Sequence, residues 1–342
     1  MRKRRKKLIG NLFLQLLVTG VLLISFALPH HVLPRYRANR GKGEVPAAIV
    51  TPIPTTLPTE KSVETAAPTE APDTRTEWQK KFADKFTDTV VVTENAYSSP
   101  RVSLSIETKE FVNSHGQTTV YYVADIYVGS LDCFRSCVCG DELEYYRVQP
   151  MAQIAAEHNA LCAISGDFVS YQAFEGYSIA FRDGQLLKRG DYSTYQICAL
   201  FADGTMETYF PSTYKLDELM ERGLWQLWHF GPLLINADGS ANTNYDWQNN
   251  IAYANPRSAI GYFEPGHYCY LVADGRQDFS VGLRLEELAQ IMIELGCKTA
   301  YNLDGGGTAQ MYFNGGFVSS PSNGEPRELG DILYVVDREV GE

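Results

Sequence analysis

The stretch YNLDGGGTAQ, residues Tyr301 to Gln310, combines an apolar run, an acidic residue and three consecutive glycines. The apolar run ends at Asp304, and a second apolar run follows the glycines. Three adjacent glycines cost backbone entropy and provide no side chain to pack, so they indicate positive φ or a ligand close to the backbone. Successive exposed N–H groups in such a turn form an anion-binding concavity, and Asp304 places a carboxylate at its edge. A tight turn between two strands is the alternative.

A helix, a short buried strand and a glycine turn that carries an aspartate occur twice in the chain. In the second copy, apolar periodicity predicts a helix over Leu285–Leu295, ended by a glycine, before the strand that leads to Asp304. In the first copy, a predicted helix over Met151–His158 precedes a strand that ends in the sequence SGDF, which contains Asp167. Both turns therefore present an aspartate at the end of a buried strand.

Strands joined by tight turns make up most of the remaining sequence. Asp-Gly pairs between alternating runs begin at Asp183, Asp203 and Asp238 and predict hairpins, so these aspartates are assigned to turns and not to chemistry. A short helix is predicted over Trp78–Phe86, and a last strand over Ile332–Val336. The predicted fold class is α+β, with mixed β-sheets, hairpins and a few packed helices in a single globular domain.

One predicted hairpin brings an arginine and an aspartate together. Its strands are Arg257–Phe263 and Tyr268–Ala273, which flank a four-residue loop. Counting outward from the loop places Arg257 opposite Asp274. Arg276, two residues further on, would point to the same side if the strand continued. The alternative is a plain cross-strand ion pair at the end of a sheet, which contributes little to stability on a surface.

The N-terminus has the pattern of a membrane anchor. Residues 1–7, MRKRRKK, carry six basic side chains and form a cytoplasmic basic flank. Residues 8–28 are mostly apolar and long enough to span a bilayer as a signal anchor, with the rest of the chain outside. Residues 29–75 are a stiff linker rich in Pro and Thr, which leaves residues 76–342 as the globular domain. The expected localisation is the cell membrane, with a single pass and an extracytoplasmic domain; a cleaved signal peptide is the alternative.

The charge of the chain limits its partners. The net charge is −11, and without the six basic residues of the N-terminal flank the remainder carries −17. Nucleic-acid binding needs a basic face, so an acidic domain argues against nucleic acid as a partner. A small anionic substrate held by a few local arginines remains compatible with this charge.

The seven cysteines do not indicate a metal site. Cys133, Cys137 and Cys139 have a spacing that matches no zinc motif, and no His-x-x-x-His accompanies them. A disulfide within this cluster fits an extracytoplasmic domain and would leave at least one thiol free. The other four lie in apolar runs and are expected to be small core residues: Cys162, Cys198, Cys269 and Cys297. Neither a metal nor a cofactor is predicted.

Three aspartates at strand ends are predicted to converge on one pocket. Asp167, Asp274 and Asp304 each follow an apolar strand, and ligands collect at the carboxyl ends of strands in many sheets. Arg257 and Arg276 are expected beside them, because two guanidinium groups and bare N–H groups suit a phosphate. Closely spaced carboxylates suit acid, base or nucleophile chemistry. The glycine turn lacks a following Lys-Ser/Thr, so it is not a P-loop.

The C-terminal part of the chain, about residues 150–337, resembles the phosphodiester glycosidase family. The resemblance is carried by ANPRSAIGY, LVADGRQDFSVGLRLEELAQIMIELGC and AYNLDGGGTAQM, with weaker matches at AISGDF and HFGPLLINADG. The chain departs from the family pattern at three positions. Ser165 stands where Asn is usual, Arg284 stands where a Thr usually precedes the helix, and Thr308 replaces a Ser but keeps the hydroxyl.

The resemblance implies hydrolysis of a sugar-1-phosphodiester at the anomeric C–O bond, on a surface polysaccharide or exopolysaccharide. Asp304 is then the first choice for the catalytic carboxylate, with Asp167 and Asp274 behind it. The residues expected to bind the substrate are Arg257, Arg276, Gly305, Gly306, Gly307, Thr308 and Asn302. Two alternatives are a non-catalytic binding module for phosphorylated glycans and a metal-dependent phosphodiesterase that cuts the P–O bond.

Overall fold

Antiparallel β-sheets dominate the structure, a computed structural model that describes residues 73–169, 179–190, 196–243, 245 and 253–339. The α-helices of this part of the chain are α1 Glu77–Lys81, α2 Met151–Glu157, α3 Leu216–Glu221 and α4 Leu285–Glu294. Its strands are β1 Val91–Val92, β2 Ala96–Ser98, β3 Val102–Val112, β4 Thr118–Val128, β5 Phe134–Val138, β6 Cys162–Ser165, β7 Ala180–Arg182, β8 Gln185–Lys188, β9 Ile197–Phe201, β10 Met206–Tyr209, β11 Leu224–Trp228, β12 Arg257–Glu264, β13 His267–Ala273, β14 Thr299–Leu303, β15 Met311–Phe313, β16 Gly316–Phe317 and β17 Asp331–Val335. Every pairing between these strands is antiparallel. The predicted α+β class, with hairpins and few helices, is confirmed.

The largest sheet has the strand order β1-β2-β3-β4-β13-β12-β14. Successive residues of a strand point to opposite faces, so the sheet buries two different sets of side chains. Leu104, Ile126 and Tyr270 enter the main core on one face. Leu271 points to the other face, which α4 covers with Leu288 and its neighbours. The periodicity of α4 and of β13 thus fixes which sides of the helix and the strand meet.

Two five-stranded sheets enclose the main core from other directions, with the orders β10-β9-β11-β7-β8 and β16-β15-β6-β17-β5. All residues of β9 and β17 are buried, as expected for strands covered on both faces. Ile164 and Trp228 bring these two sheets into the same core as the largest sheet. Helix α2 packs on the outer face of the third sheet, where Ile154 contacts the cluster around Ile332.

Two of the predicted helices differ in how well the sequence located their ends. Helix α4 follows Arg284, whose N–H donates to the Glu287 carboxylate at 2.8 Å, and it ends before Gly296, as predicted. Helix α1 ends at Lys81, well before the predicted end at Phe86. The side chain of Phe82 is buried against the rings of Tyr127 and His267, and this packing turns the chain out of the helix.

The register predicted for the β12–β13 hairpin is wrong by one residue. Arg257 pairs with Ala273 and not with Asp274, because the pairing shifts between Tyr262 and Glu264. Phe263 is the extra residue of a bulge, and the turn itself consists of Pro265-Gly266, with Gly266 at φ +86°. Pro followed by Gly is the residue pair that type II turns favour, so the sequence contained this signal.

The ends of β6 and β14 meet at a seam, which we define as Ser165, Gly166, Ser258 and Asp304. The Asp304 N–H donates to the Gly166 carbonyl at 2.9 Å. The Ser165 hydroxyl donates to the Asp304 carbonyl at 2.8 Å and lies 2.7 Å from the Ser258 hydroxyl. Ser165, which stands where the family usually has Asn, therefore keeps polar contacts with Asp304 and Ser258. The seam joins the largest sheet to the third sheet.

The cysteines are all buried free thiols. The disulfide considered for the Cys133, Cys137 and Cys139 cluster is absent, because the sulfurs contact other groups: Cys133 Sγ lies 3.4 Å from the Arg338 carbonyl, and Cys139 Sγ lies 2.8 Å from Gln149 Oε1. The four scattered cysteines are core residues, as predicted. Burial raises the pKa of Cys162 and of Cys198, so both stay protonated at neutral pH.

No helix among the described residues is long and apolar enough to cross a bilayer. The signal anchor predicted over residues 8–28 and most of the linker predicted over residues 29–75 lie outside the described residues.

Candidate active site

A cavity of about 130 Å³ opens where β14 ends and β12 begins. Its walls include five of the residues predicted from the sequence, and they are Arg257, Arg276, Asp304, Gly305 and Gly306. Phe230, Asn255 and Leu303 complete the lining. The predicted meeting of Asp304 with both arginines around a small hollow is therefore observed.

Asp304 is the acidic group of this cavity. It is partly buried directly after β14, and its backbone is fixed by the seam. Burial raises the pKa of Asp304 to about 6, although the Thr308 hydroxyl, Arg327 and the Gly305 N–H act in the opposite direction. Such a carboxyl is mostly ionised at neutral pH and still close enough to its pKa to exchange a proton.

Two guanidinium groups stand beside Asp304. Arg257 is buried at the start of β12, where Nε donates to the Leu283 carbonyl at 2.9 Å and Nη2 donates to the Tyr253 carbonyl at 2.7 Å. Burial lowers the pKa of Arg257 to about 10, so the group stays charged at neutral pH. Arg276 is exposed and donates from Nη2 to Asn255 Oδ1 at 2.8 Å. These acceptors are backbone carbonyls and an amide oxygen, and guanidinium groups bind anions such as phosphate with charge-assisted hydrogen bonds.

The glycine turn is needed for close packing at this cavity. A Cβ on Gly305 would lie 2.7 Å from the Pro256 carbonyl oxygen, and one on Gly306 would lie 3.1 Å from Arg276 Nη2. Gly306 also has φ +63°, a conformation that side chains other than glycine rarely adopt. The turn therefore lets the backbone approach the guanidinium of Arg276.

The amides of the glycine turn are less available than the sequence suggested. The Gly305 N–H acts on the Asp304 carboxylate and lowers its pKa, and the Gly306 N–H donates to the Pro256 carbonyl at 2.9 Å. Among the described residues, the Gly307 N–H has no protein acceptor. The expected row of three bare N–H groups is thus reduced to one.

Asp167 directly follows Gly166 of the seam and lies in a buried cluster with Arg182 and Asp331. Its Oδ1 accepts from Arg182 Nη2 at 2.7 Å, and its Oδ2 accepts from the His229 N–H at 2.8 Å. The Asp167 N–H in turn donates to Asp331 Oδ2 at 2.6 Å. Gly166 is required here because a Cβ would lie 1.7 Å from Asp331 Oδ2. Both oxygens of Asp167 are therefore occupied by protein groups.

The charges of this buried cluster are nearly balanced. Burial raises the pKa of Asp331 well above its usual value, the Asp167 carboxylate raises it further, and Arg182 opposes them. Asp331 therefore favours the protonated form, which leaves Asp167 and Arg182 as an ion pair. Burial also lowers the pKa of His229 to about 4, so its ring is neutral at neutral pH.

The remaining predicted residues do not line the cavity. Asp274 is buried at the end of β13, where Oδ2 accepts from the Tyr122 hydroxyl at 3.0 Å and Oδ1 accepts from the Ser320 N–H at 2.8 Å. Asn302 is buried and donates from Nδ2 to the Gly231 carbonyl at 2.7 Å. Thr308 is buried and donates to the Gly305 carbonyl at 2.7 Å. These three side chains hold the segments that surround the cavity.

Sequence reasoning missed four residues of this region. Asn255 lines the cavity and orients Arg276; it lies in the motif ANPRSAIGY and could have been found there. Arg182 ends β7, 15 residues after Asp167, and Asp331 begins β17, 164 residues after it. No local sequence pattern connects the three. Arg327 acts on Asp304 from an exposed loop for which the sequence shows no periodicity.

No group of three or more His, Cys, Asp and Glu side chains suited to a metal ion occurs in the described part of the chain.

Comparisons with known proteins support the resemblance seen in the sequence. A family model described as phosphodiester glycosidase matches residues 158–336. A curated protein from Bacillus subtilis (strain 168), the SPbeta prophage-derived uncharacterized protein YomE, is 28% identical over 164 residues. That match covers 47% of this chain but only 26% of the relative, so the chain spans about a quarter of its length.

A solved structure shows a similar fold. It is the zebrafish N-acetylglucosamine-1-phosphodiester alpha-N-acetylglucosaminidase catalytic domain auto-inhibited by its pro-peptide, with a TM-score of 0.56 and 20% sequence identity. The match covers 70% of this chain and 85% of that one. The matched family model takes in the seam, the glycine turn and the cavity, together with more than half of the chain. This protein therefore belongs to the phosphodiester glycosidase family.

Proposed function

We propose that this chain hydrolyses sugar-1-phosphodiesters at the anomeric C–O bond. The observation that carries the proposal is the cavity in which Asp304 stands beside Arg257 and Arg276. A carboxylate and two guanidinium groups around one small hollow match the two parts of such a substrate. The anomeric carbon develops positive charge during the reaction, and the phosphate carries negative charge throughout.

The chemistry needs little acid assistance at the leaving group. When the C1–O bond breaks, its electron pair stays on a phosphate oxygen, and a phosphomonoester is already a stable anion. The oxygen of water bonds to C1 and loses one proton, so the products are a free sugar and a phosphomonoester. An ordinary glycoside would instead need a strong general acid to protonate its leaving oxygen.

Asp304 is our choice for the catalytic carboxylate. In its ionised form it offsets the positive charge that develops on the anomeric carbon, and its pKa of about 6 keeps it mostly ionised at neutral pH. Arg257 and Arg276 would bind the phosphate, as guanidinium groups do with paired hydrogen bonds. The Gly307 N–H would add a neutral donor to the same anion.

Asp167 and Asp274 have supporting roles in this proposal. Asp167 accepts hydrogen bonds from Arg182 and from the His229 N–H. It directly follows Gly166 of the seam, so it would help to hold Asp304 in place. Asp274 would hold the loop that begins at Ser320. Thr308 and Asn302 would keep the shape of the glycine turn and of β14.

The setting of the reaction is also a proposal. The basic flank and apolar stretch of residues 1–28 favour a membrane anchor, with the catalytic domain outside the cytoplasmic membrane. Under that arrangement, the substrate would be a phosphorylated saccharide of the cell surface or of an exopolysaccharide.

Isotope labelling tests the proposal directly. The full chain is incubated with a sugar-1-phosphodiester in water enriched in oxygen-18, and the products are analysed by mass spectrometry. Cleavage at the anomeric C–O bond places the label in the free sugar and none in the phosphomonoester. Label in the phosphate would mean P–O cleavage and would contradict the proposal, as would binding of the diester without any release of sugar.

A further inference from the structure

The loop from Val318 to Gly330, between β16 and β17, is tied down at both ends beside the cavity. At its start, the Ser320 N–H donates to Asp274 Oδ1 at 2.8 Å, and the Ser320 carbonyl accepts from Gln277 Nε2 at 3.1 Å. Towards its end, the Arg327 carbonyl accepts from Nε2 of the buried Gln310 at 2.8 Å. A loop held by side chains from the segment after β13 and from the segment after the glycine turn has a defined position relative to both.

This loop brings an arginine to the glycine turn. A Cβ on Gly307 would lie 3.4 Å from Cδ of Arg327 and 3.7 Å from Nδ2 of Asn323. The positive charge of Arg327 also favours the ionised form of Asp304, which places the guanidinium within electrostatic range of that carboxylate. The packing against Gly307 therefore locates Arg327 at the edge of the candidate site, and its charge acts on Asp304 from there.

The guanidinium of Arg327 has no hydrogen-bonding partner among the described residues. Its side chain is exposed, and it makes no hydrogen bond or ion pair with any residue that the structure describes. Beside it, the Gly307 N–H also has no acceptor among the described residues. Two unused donors next to each other, one residue along the chain from the cavity-lining Gly306, fit an anionic ligand.

We propose that Arg327 is a third arginine of the phosphate site, carried to the rim of the cavity by the tethered loop. Together with the Gly307 N–H it would contact a phosphate oxygen on the exposed side, while Arg257 and Arg276 contact the phosphate from the cavity. The inference rests on the proposed function in taking a sugar-1-phosphodiester as the ligand. Asp274 is then a positioning residue, because it acts on the substrate through Ser320 and the loop.

The test measures phosphate binding, so it does not depend on turnover. Inorganic phosphate is titrated into the full chain by calorimetry, with the wild type, Arg327→Gln and Arg327→Lys compared at one ionic strength. Loss of one charge-assisted contact is expected to weaken binding about tenfold in Arg327→Gln, and lysine should restore part of it. Arg75→Gln is the matched control, because it removes an exposed guanidinium that pairs with Asp73, and it should bind as the wild type does.

Two results would overturn the inference. Either the wild type does not bind inorganic phosphate, or Arg327→Gln binds it as tightly as the wild type does. Neither result depends on the labelling experiment above, which tests bond cleavage. A protein that binds phosphate through Arg327 but releases no sugar would keep this inference and lose the proposed function. If the wild type releases sugar but Arg327→Gln binds phosphate as tightly as the wild type does, the proposed function stands and this inference fails.

Discussion

The two glycine turns with an aspartate look alike in sequence but have opposite environments. At the first, Asp167 is buried with Arg182 and Asp331, and each of its oxygens accepts a short hydrogen bond from the protein. At the second, Asp304 faces a cavity in which Arg257 donates to the Leu283 carbonyl and Arg276 donates to the Asn255 amide oxygen. Gly166 leaves room for a carboxylate of the protein, whereas Gly305 and Gly306 leave room for backbone and for Arg276.

This difference separates a carboxylate that holds the structure from one that can react. A buried ion pair whose bonds are complete is costly to break and offers nothing to a ligand. A raised pKa means that the surroundings of a partly buried carboxylate disfavour its ionised form, and such groups are enriched at functional sites. The motif alone does not distinguish the two, because the partners come from distant parts of the chain.

The largest expected effect is on turnover when Asp304 is replaced. Asp304→Asn keeps the size of the side chain and removes its charge, so sugar release should fall by about a thousandfold or more. Folding stability at pH 7 should rise by roughly 1–3 kcal/mol, because burial no longer opposes an ionised group. Product release and thermal unfolding measure the two effects. Normal turnover in a folded Asp304→Asn variant would remove Asp304 from the chemistry.

The next largest effect is on stability when the buried cluster is opened. Arg182→Met leaves the Asp167 carboxylate without its ion-pair partner, which should cost about 3–5 kcal/mol in denaturant unfolding. Arg222→Met is a suitable control, because it breaks the exposed pair with Glu207 and should cost about 1 kcal/mol or less. Equal losses in the two variants would show that the cluster is not the buried ion pair described above.

The pH dependence compares activity and stability of the same group. If ionised Asp304 is required, kcat/KM should rise with pH through about 6 and level off above it. Stability should change in the opposite direction: the folded pKa is raised, so the protonated carboxyl favours folding and this contribution is lost between the ordinary value of 3.8 and about 6. Both profiles are measured on the wild type. In Asp304→Asn, the loss of folding stability between pH 3.8 and about 6 should be smaller, because the titrating carboxyl is gone. A stability contribution that grows across this window would contradict the raised pKa.

The smallest effect is expected at Asp274. Asp274→Asn keeps an oxygen that can accept from the Ser320 N–H, so kcat should stay within about threefold of the wild type. Asp274→Ala removes the acceptor, frees the loop and should raise KM more than it lowers kcat. A loss of kcat in Asp274→Asn as large as in Asp304→Asn would instead make Asp274 a catalytic group.

Much of the site could be predicted from local sequence. The helix α4, the strand that follows it and the glycine turn are contiguous, so periodicity and turn chemistry located Asp304, Gly305 and Gly306 together. Arg257 and Arg276 were placed correctly at the cavity even though the predicted register was wrong. The bulge at Phe263 moved the pairing by one residue, but both arginines lie next to the ends of β12 and β13 in either register.

The parts that could not be predicted depend on contacts between distant segments. Asp331 reaches Asp167 across 164 residues of chain, and Ser320 reaches Asp274 across 46. A local pattern cannot report which buried carboxylate will meet an arginine, or which N–H groups of a turn will find an acceptor. For this reason the local sequence predicts free Gly305 and Gly306 amides and gives no signal for Arg327.

The seam has a consequence for how such a site can diversify. It fixes the position of Asp304 mainly through backbone atoms, since the Asp304 N–H meets the Gly166 carbonyl and the Ser165 hydroxyl meets the Asp304 carbonyl. Under the proposed function, substitutions on the rim would change which phosphorylated compound is accepted while the Asp304 carboxylate keeps its place. Laboratory evolution towards new substrates should therefore begin with the loop between β16 and β17 and leave the strand ends untouched.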